Sequence, residues 1–345
     1  MNIIVLCGGY STERDVSIKS GSLVWEALRK RGHNAVLVDA FTGYDGTYDD
    51  PREIFEKPQE KKTVFIGEEA PDLEAVKAMR KQKNDSRIGD NLIEVCRAAD
   101  IVFMALHGED GENGKLQALF DIEGIRYTGS GYLGSAIAMN KHLSKALFRN
   151  AGVTTPESIT LYRNEHNYEN IGFPCVVKPC SGGSSVGVSI VDNEEAYRKA
   201  LDLAFVYDTT VVVEKFIKGR EITIGVMDGK AMPTMEIVPK TGFYDYKNKY
   251  QAGLTDEYCP APITEAQTAK VEAEAIKAYG ALNIDTYCRF DFIMDENSTF
   301  YCLEANTLPG MTNTSLIPQM ANHMGLSYED LCEKLIEISL KKYEK

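Results

Sequence analysis

Two short runs near the C-terminus constrain this chain more than any other feature. Thr286–Met294 and Thr299–Ala305 each alternate in strand fashion, and Asp295-Glu296-Asn297-Ser298 between them is turn chemistry. The two runs therefore read as one β-hairpin. Pairing Met294 with Thr299 sets Arg289 opposite Glu304 and Asp291 opposite Cys302. Period two then gathers Arg289, Asp291, Glu304 and Asn306 on one face. Two carboxylates and an amide oxygen suit a hard cation such as magnesium, which takes few protein oxygens and completes its shell with phosphates. The same residues suit equally a cross-strand Arg–Glu ion pair on a solvated face.

A chain of 345 residues exceeds one ordinary core, so two or three domains are expected. The net charge of -13 argues against general affinity for nucleic acid or anionic membranes, though not against a local basic pocket. No apolar run approaches the ~20 residues that span a bilayer. Met1–Cys7 lacks a basic leader and reads as a first strand. The eight cysteines form no C-x-x-C pair, and several fall within strand patterns. Reduced core thiols and a cytoplasmic location are expected.

The fold class reads as α/β, opening with a doubly wound parallel sheet. Ile3–Cys7 is a buried-type strand, a helix follows with Gly32 at its end, and Ala35–Val38 is a second strand. Ile101–Leu106 is another, ending at His107-Gly108, and Lys115–Glu123 reads as a helix. Thr42–Asn91 is charged and irregular. Tyr127–Gly131 marks the end of this part. Beyond it come a helix at Lys141–Asn150 and a β-rich middle. Strands are expected at Cys175–Lys178, Val186–Val191, Val211–Phe216, Glu221–Val226 and Ala231–Val238. Helices are expected at Glu194–Ala204, Ala266–Leu282 and Tyr328–Lys341.

Several constellations can carry chemistry. Ser181-Gly182-Gly183-Ser184-Ser185-Val186-Gly187 joins two strands and can wrap an anion with backbone N–H groups and hydroxyls. It lacks the Walker A ending, so it reads as a phosphate-covering flap or as a plain flexible hairpin turn. Lys178 stands at its mouth and Lys141 opens a helix; each can neutralise phosphate or be a surface charge. Glu214 ends a strand whose exit can meet an adenine edge, and Glu221 can meet ribose hydroxyls. Glu13 and His107 follow strands, at the end where small ligands of open parallel sheets bind. Pro239–Pro260, rich in tyrosine and lysine, is too polar for a core strand and reads as a lid or a solvated loop.

Taken in order, these motifs resemble the D-alanine–D-alanine ligases of the ATP-grasp superfamily. The resemblance rests on Gly8–Ser17, Leu106-His107-Gly108, Gly183–Gly187, Tyr244-Asp245-Tyr246 with Lys249-Tyr250, Arg289-Phe290-Asp291 and Glu304–Thr312, which span nearly the whole chain. It implies a three-domain ATP-grasp architecture, divided here as residues 1–129, 130–218 and 219–345. It implies ATP as co-substrate, with Lys141, Lys178, Gly183, Ser184 and Ser185 on phosphate. Glu214, the Lys215–Ile217 backbone and Glu221 would take adenine and ribose. Asp291, Glu304 and Asn306 would hold two magnesium ions, for which manganese can stand in.

The implied reaction joins two D-alanine molecules through an acyl phosphate, for peptidoglycan precursors. Glu13 would anchor the first ammonium, with His107 nearby. Arg289 and the Gly310 N–H would stabilise the oxyanion, at ~3–4 kcal/mol per donor. Lys249, Ser315 and the Leu316 backbone would bind the second carboxylate, and a Glu13–Ser184–Tyr250 chain would close the lid. The resemblance also implies a homodimer. Asn140-Lys141 and Gly111-Glu112-Asn113-Gly114 depart from the family's Asp-Lys and Gly-Glu-Asp-Gly, and Cys288 stands where a smaller residue is common. Tyr250 points to D-alanine as acceptor, with D-serine or D-lactate as alternatives. Other rivals are an ATP-grasp ligase of different substrate, a non-catalytic nucleotide binder and an interaction protein.

Overall fold

The structure is a computed structural model that describes residues 1–59, 67, 71–80, 84–165, 171–240 and 253–344. The expected first strand forms β1 (Asn2–Cys7), flanked by β2 (Asn34–Asp39) and β3 (Ile101–Met104) in a parallel sheet of order β2-β1-β3. All four residues of β3 and five of six in β1 and β2 are buried, the pattern of strands covered on both faces. Helix Arg14–Lys30 supplies Val24, Ala27 and Leu28 to that core. The terminal helix Tyr328–Leu340 packs into the same core through Leu331, Leu335 and Ile338, and is fixed at its start by a Ser327–Asp330 capping box.

The middle sheet contains β4 (Ser158–Tyr162), β5 (Cys175–Pro179), β6 (Ser189–Val191) and β7 (Thr210–Lys215), in order β4-β7-β5-β6. Helix Glu194–Tyr207 covers it with Tyr197, Leu201 and Ala204. The strand expected at Val186–Val191 begins only at Ser189, because Gly187 takes positive φ (73°) and the Val188 N–H donates to the Ser185 carbonyl in a turn.

The third sheet joins β8 (Arg220–Met227), β9 (Lys230–Pro239), β10 (Thr255–Tyr258), β11 (Tyr287–Met294) and β12 (Phe300–Asn306), in order β10-β9-β8-β11-β12. Helix Glu265–Ala281 covers one face. Strand β10 lies inside the segment expected to be too polar for a core strand. Among the described residues it is an edge strand, pairing only with β9, so polar side chains suit it.

The hairpin register needs correction. Met294 pairs with Phe300, not Thr299, because Asp295 Oδ1 accepts from the N–H groups of Asn297 and Thr299 and draws Thr299 into the turn. A bulge then falls between Asp291 and Phe292, with Leu303 as the extra residue. Asp291 therefore lies opposite Glu304, and Arg289 opposite Asn306. Cys302 pairs with Phe292 in the core, so strict alternation would bury Glu304 there too. The bulge returns Glu304 and Asn306 to the face of Arg289 and Asp291.

Candidate active site

A cavity of about 520 Å³ lies between the middle and third sheets. The flap residues Gly183 and Ser185 line it, with Lys141 and Lys178. Glu214, Lys215, Ile217 and Glu221 line it where β7 passes into β8. Asp291 and Glu304 line it from the hairpin. Val176, Ile190, Phe216, Ile293 and Leu303 add apolar wall, which suits a flat aromatic ring. Of the residues expected to touch nucleotide, Ser184 alone is absent from this lining.

Ser184 lines a second cavity of about 110 Å³, with Glu13, His107, Arg289, Gly310, Ser315 and Leu316. Asn306 lines it too, and Gly183 and Glu304 line both cavities. The flap and one carboxylate thus stand where the two spaces meet. Lys249 and Tyr250 lie outside the described residues, as does the tyrosine run Tyr244–Tyr246.

Glu13 is buried at the start of helix Arg14–Lys30, and Ser184 Oγ donates to its Oε1 at 2.5 Å. This ties the flap to the N-terminal part of the molecule. Gly108 takes φ +67°, and a Cβ there would meet Glu13 Oε2 at 2.7 Å, so glycine is required at that turn.

His107 has both ring nitrogens engaged. Burial lowers its pKa, which favours the neutral ring. Nδ1 lies 3.0 Å from the Leu308 carbonyl, which only accepts, so Nδ1 carries the hydrogen. Nε2 then accepts from Ser20 Oγ at 3.0 Å, and Ser20 Oγ accepts from the Met311 N–H at 3.3 Å. His107 therefore braces the Leu308–Met311 loop that carries Gly310. A Cβ on Gly310 would come within 2.8 Å of Ser315 Oγ, so a side chain there would displace that hydroxyl.

Glu112 was not singled out as a site residue by sequence. It lines the second cavity and accepts the N–H of Gly108 at 2.5 Å and of Leu308 at 3.3 Å. Burial first, and Glu13 second, push its carboxyl up to about 8.

On the hairpin, Arg289 is bidentate to Asp291, and Thr223 Oγ1 donates to Asp291 Oδ1 at 2.7 Å. Lys141 Nζ reaches Glu304 Oε2 at 3.3 Å and donates to the Gly182 carbonyl at 2.9 Å. Its helix starts at Asn140, whose side chain accepts the Leu143 N–H, so asparagine supplies the cap that an aspartate would.

The donor set fits a divalent cation. Asn306 Oδ1 is buried with no hydrogen-bond partner among the described residues, an unfavourable state that a cation relieves. Two carboxylates and one amide leave positions for phosphate oxygens. Among the described residues no three His, Cys, Asp or Glu side chains form a metal cluster by themselves.

Glu214 is fully buried, 2.7 Å from Lys178 Nζ and 2.9 Å from Lys145 Nζ. Burial would raise its pKa, but the two ammonium groups outweigh that and hold it low. Sequence reasoning missed Lys145. The available signal was its spacing: Lys141, Lys145 and Phe148 form the buried stripe of one helix, where a lysine is out of place.

Comparisons with known proteins agree with this geometry. Family models described as D-ala D-ala ligase N-terminus and D-ala D-ala ligase C-terminus match residues 2–130 and 147–337. The D-alanine--D-alanine ligase of Pediococcus pentosaceus is 41% identical, covering 100% of this chain and 99% of that protein. That of Geobacter sulfurreducens is 40% identical, covering 96% and 92%. Among solved structures, the Bacillus anthracis D-alanine--D-alanine ligase complexed with ATP superposes with a TM-score of 0.75 at 30% identity, covering 100% of both chains. VanG D-Ala:D-Ser ligase from Enterococcus faecalis gives 0.75 at 29% identity, covering 98% of this chain and 100% of that one. The fold is ATP-grasp, and the chain belongs to the D-alanine–D-alanine ligase family.

Proposed function

We propose that this protein joins two D-alanine molecules to D-alanyl-D-alanine, converting ATP to ADP and phosphate, for peptidoglycan precursor synthesis in the cytoplasm. The observation that carries the reading is the meeting of two cavities at Gly183 and Glu304. The larger suits a nucleotide and the smaller, lined by Glu13, Arg289 and Ser315, suits charged amino-acid groups, so a phosphate and a carboxylate can meet at the junction. No helix among the described residues is long and apolar enough to cross a membrane, in keeping with small-molecule substrates.

In this reading Lys141, Lys178, Gly183, Ser184 and Ser185 bind phosphate oxygens, and Glu214, Lys215, Ile217 and Glu221 bind adenine and ribose. Asp291, Glu304 and Asn306 hold magnesium, or manganese in its place; when bound, the metal neutralises charge on the phosphates. Glu13 binds the first ammonium beside His107, with Ser184 and Tyr250 linking it to the lid. The first carboxylate attacks the γ-phosphorus and ADP leaves. The second amine then attacks the acyl carbon, while Arg289 and the Gly310 N–H stabilise the oxyanion. The carbonyl re-forms and phosphate departs with one oxygen of the first carboxylate. Lys249, Ser315 and the Leu316 N–H hold the second carboxylate.

The domains of the reading are 1–129, 130–218 and 219–345, and the assembly is a homodimer. D-alanine is the acceptor, supported by the recurrence of D-alanine--D-alanine ligases among the full-length relatives. Phosphate release with D-alanine, D-serine or D-lactate beside D-alanine, from about pH 6 to about pH 9, tests this. Turnover mainly with D-serine or D-lactate at neutral pH contradicts it.

A further inference from the structure

Lys145 does not line the nucleotide cavity; it stands behind Glu214, which does. Its side chain is fully buried, and burial pushes its ammonium down to about 8 against the pull of Glu214. Nζ donates to Thr155 Oγ1 at 2.7 Å, and Thr155 Oγ1 donates to the Cys302 carbonyl on β12 at 2.8 Å. Lys145 is thereby fixed to the strand that carries Glu304 and Asn306.

Both ammonium groups make their close approach to the same oxygen of Glu214. Lys178 reaches Oε1 at 2.7 Å and Lys145 reaches it at 2.9 Å. Lys178 lines the cavity, whereas Lys145 is fully buried and lies outside its lining. A buried ion pair of this kind is a poor source of stability, since apolar side chains of similar volume often serve as well. Its better-attested use is to fix one arrangement among several.

We propose that Lys145 is a positioning residue for base selection: it locks the Glu214 carboxylate so that Oε1 is held inside the protein and Oε2 faces the exocyclic amino group of a 6-amino purine. A 6-oxo purine presents an acceptor at that point and meets the same oxygen unfavourably. The proposal rests on the nucleotide reading of the larger cavity given above.

Direct binding of ATP and GTP to the wild type and to Lys145→Met tests it, alongside steady-state kinetics. The expected result is ATP affinity weakened about tenfold or more, GTP affinity little changed, and the D-alanine KM and the kcat at saturating ATP nearly unchanged. Should Lys145→Met fail to fold, Lys145→Gln, which keeps a donor toward Thr155 Oγ1 without the charge, must show the same narrowed ATP-over-GTP ratio. An unchanged ratio with a lowered Tm makes Lys145 a structural strut and overturns the proposal alone. A wild type that binds no ATP overturns the ligase reading and this proposal together.

Discussion

Arg289 and Asp291 bind each other through two contacts along one strand, Nε to Oδ1 at 2.9 Å and Nη2 to Oδ2 at 2.8 Å. The guanidinium assigned to the oxyanion is thus held by a carboxylate assigned to metal. Each is satisfied inside the protein in this arrangement, with Asp291 on the wall of the larger cavity, where it would help to hold a cation, and Arg289 on the wall of the smaller.

Arg289→Ala should therefore separate binding from turnover. The charge that Arg289 meets develops only during reaction, so kcat should fall about 10²–10³-fold while ATP affinity changes little. Equal losses in nucleotide affinity and in kcat, by calorimetry and initial rates, would show that Arg289 is a binding residue.

The orphaned oxygen of Asn306 gives a metal-specific prediction. Asn306→Leu removes a buried acceptor that has no partner among the described residues, so Tm should hold steady or rise. The magnesium concentration needed for half-maximal rate should rise clearly. Chelation should abolish wild-type turnover and added magnesium restore it. A variant with lowered Tm and unaltered magnesium dependence would place the cation elsewhere.

Ser184→Ala tests the tie between flap and first substrate. It deprives the buried Glu13 carboxylate of a 2.5 Å hydrogen bond. Losing a bond to a charged group costs about 1.5–3 kcal/mol, or roughly 10–100-fold. The loss should appear mainly in the KM of the first D-alanine, read from two-site kinetics.

Glu112 predicts a pH dependence of stability. Its carboxyl lies at about 8 in the fold, above its ordinary 4.5, owing to burial and then to Glu13. The folded protein binds this proton more tightly than the unfolded chain. Its stabilising contribution is thus complete below about pH 4.5 and is lost as pH rises through about 8. Wild-type Tm should fall relative to Glu112→Gln across that window; a constant difference would mean that Glu112 titrates normally.

Much of this arrangement is legible in the sequence, and the exceptions share physical causes. The hairpin was visible because alternation and turn residues are local signals. Its bulge was not, since an extra residue such as Leu303 leaves no mark on period-two counting. Helix Tyr132–Met139 went unseen because its small residues give a weak periodic signal. Lys145 and Glu112 were passed over because charged residues are ordinarily exposed, and only packing shows that these two are enclosed. The glycine at 108 stood out in a motif, but its positive φ and the nearness of Glu13 show only in the fold.

The central claim is that the first carboxylate is activated as an acyl phosphate. It is tested most directly with D-alanine carrying ¹⁸O in its carboxyl group, followed by mass spectrometry of the released phosphate. One labelled oxygen should appear in phosphate for each dipeptide formed. Phosphate free of label, with dipeptide still produced, would contradict the account.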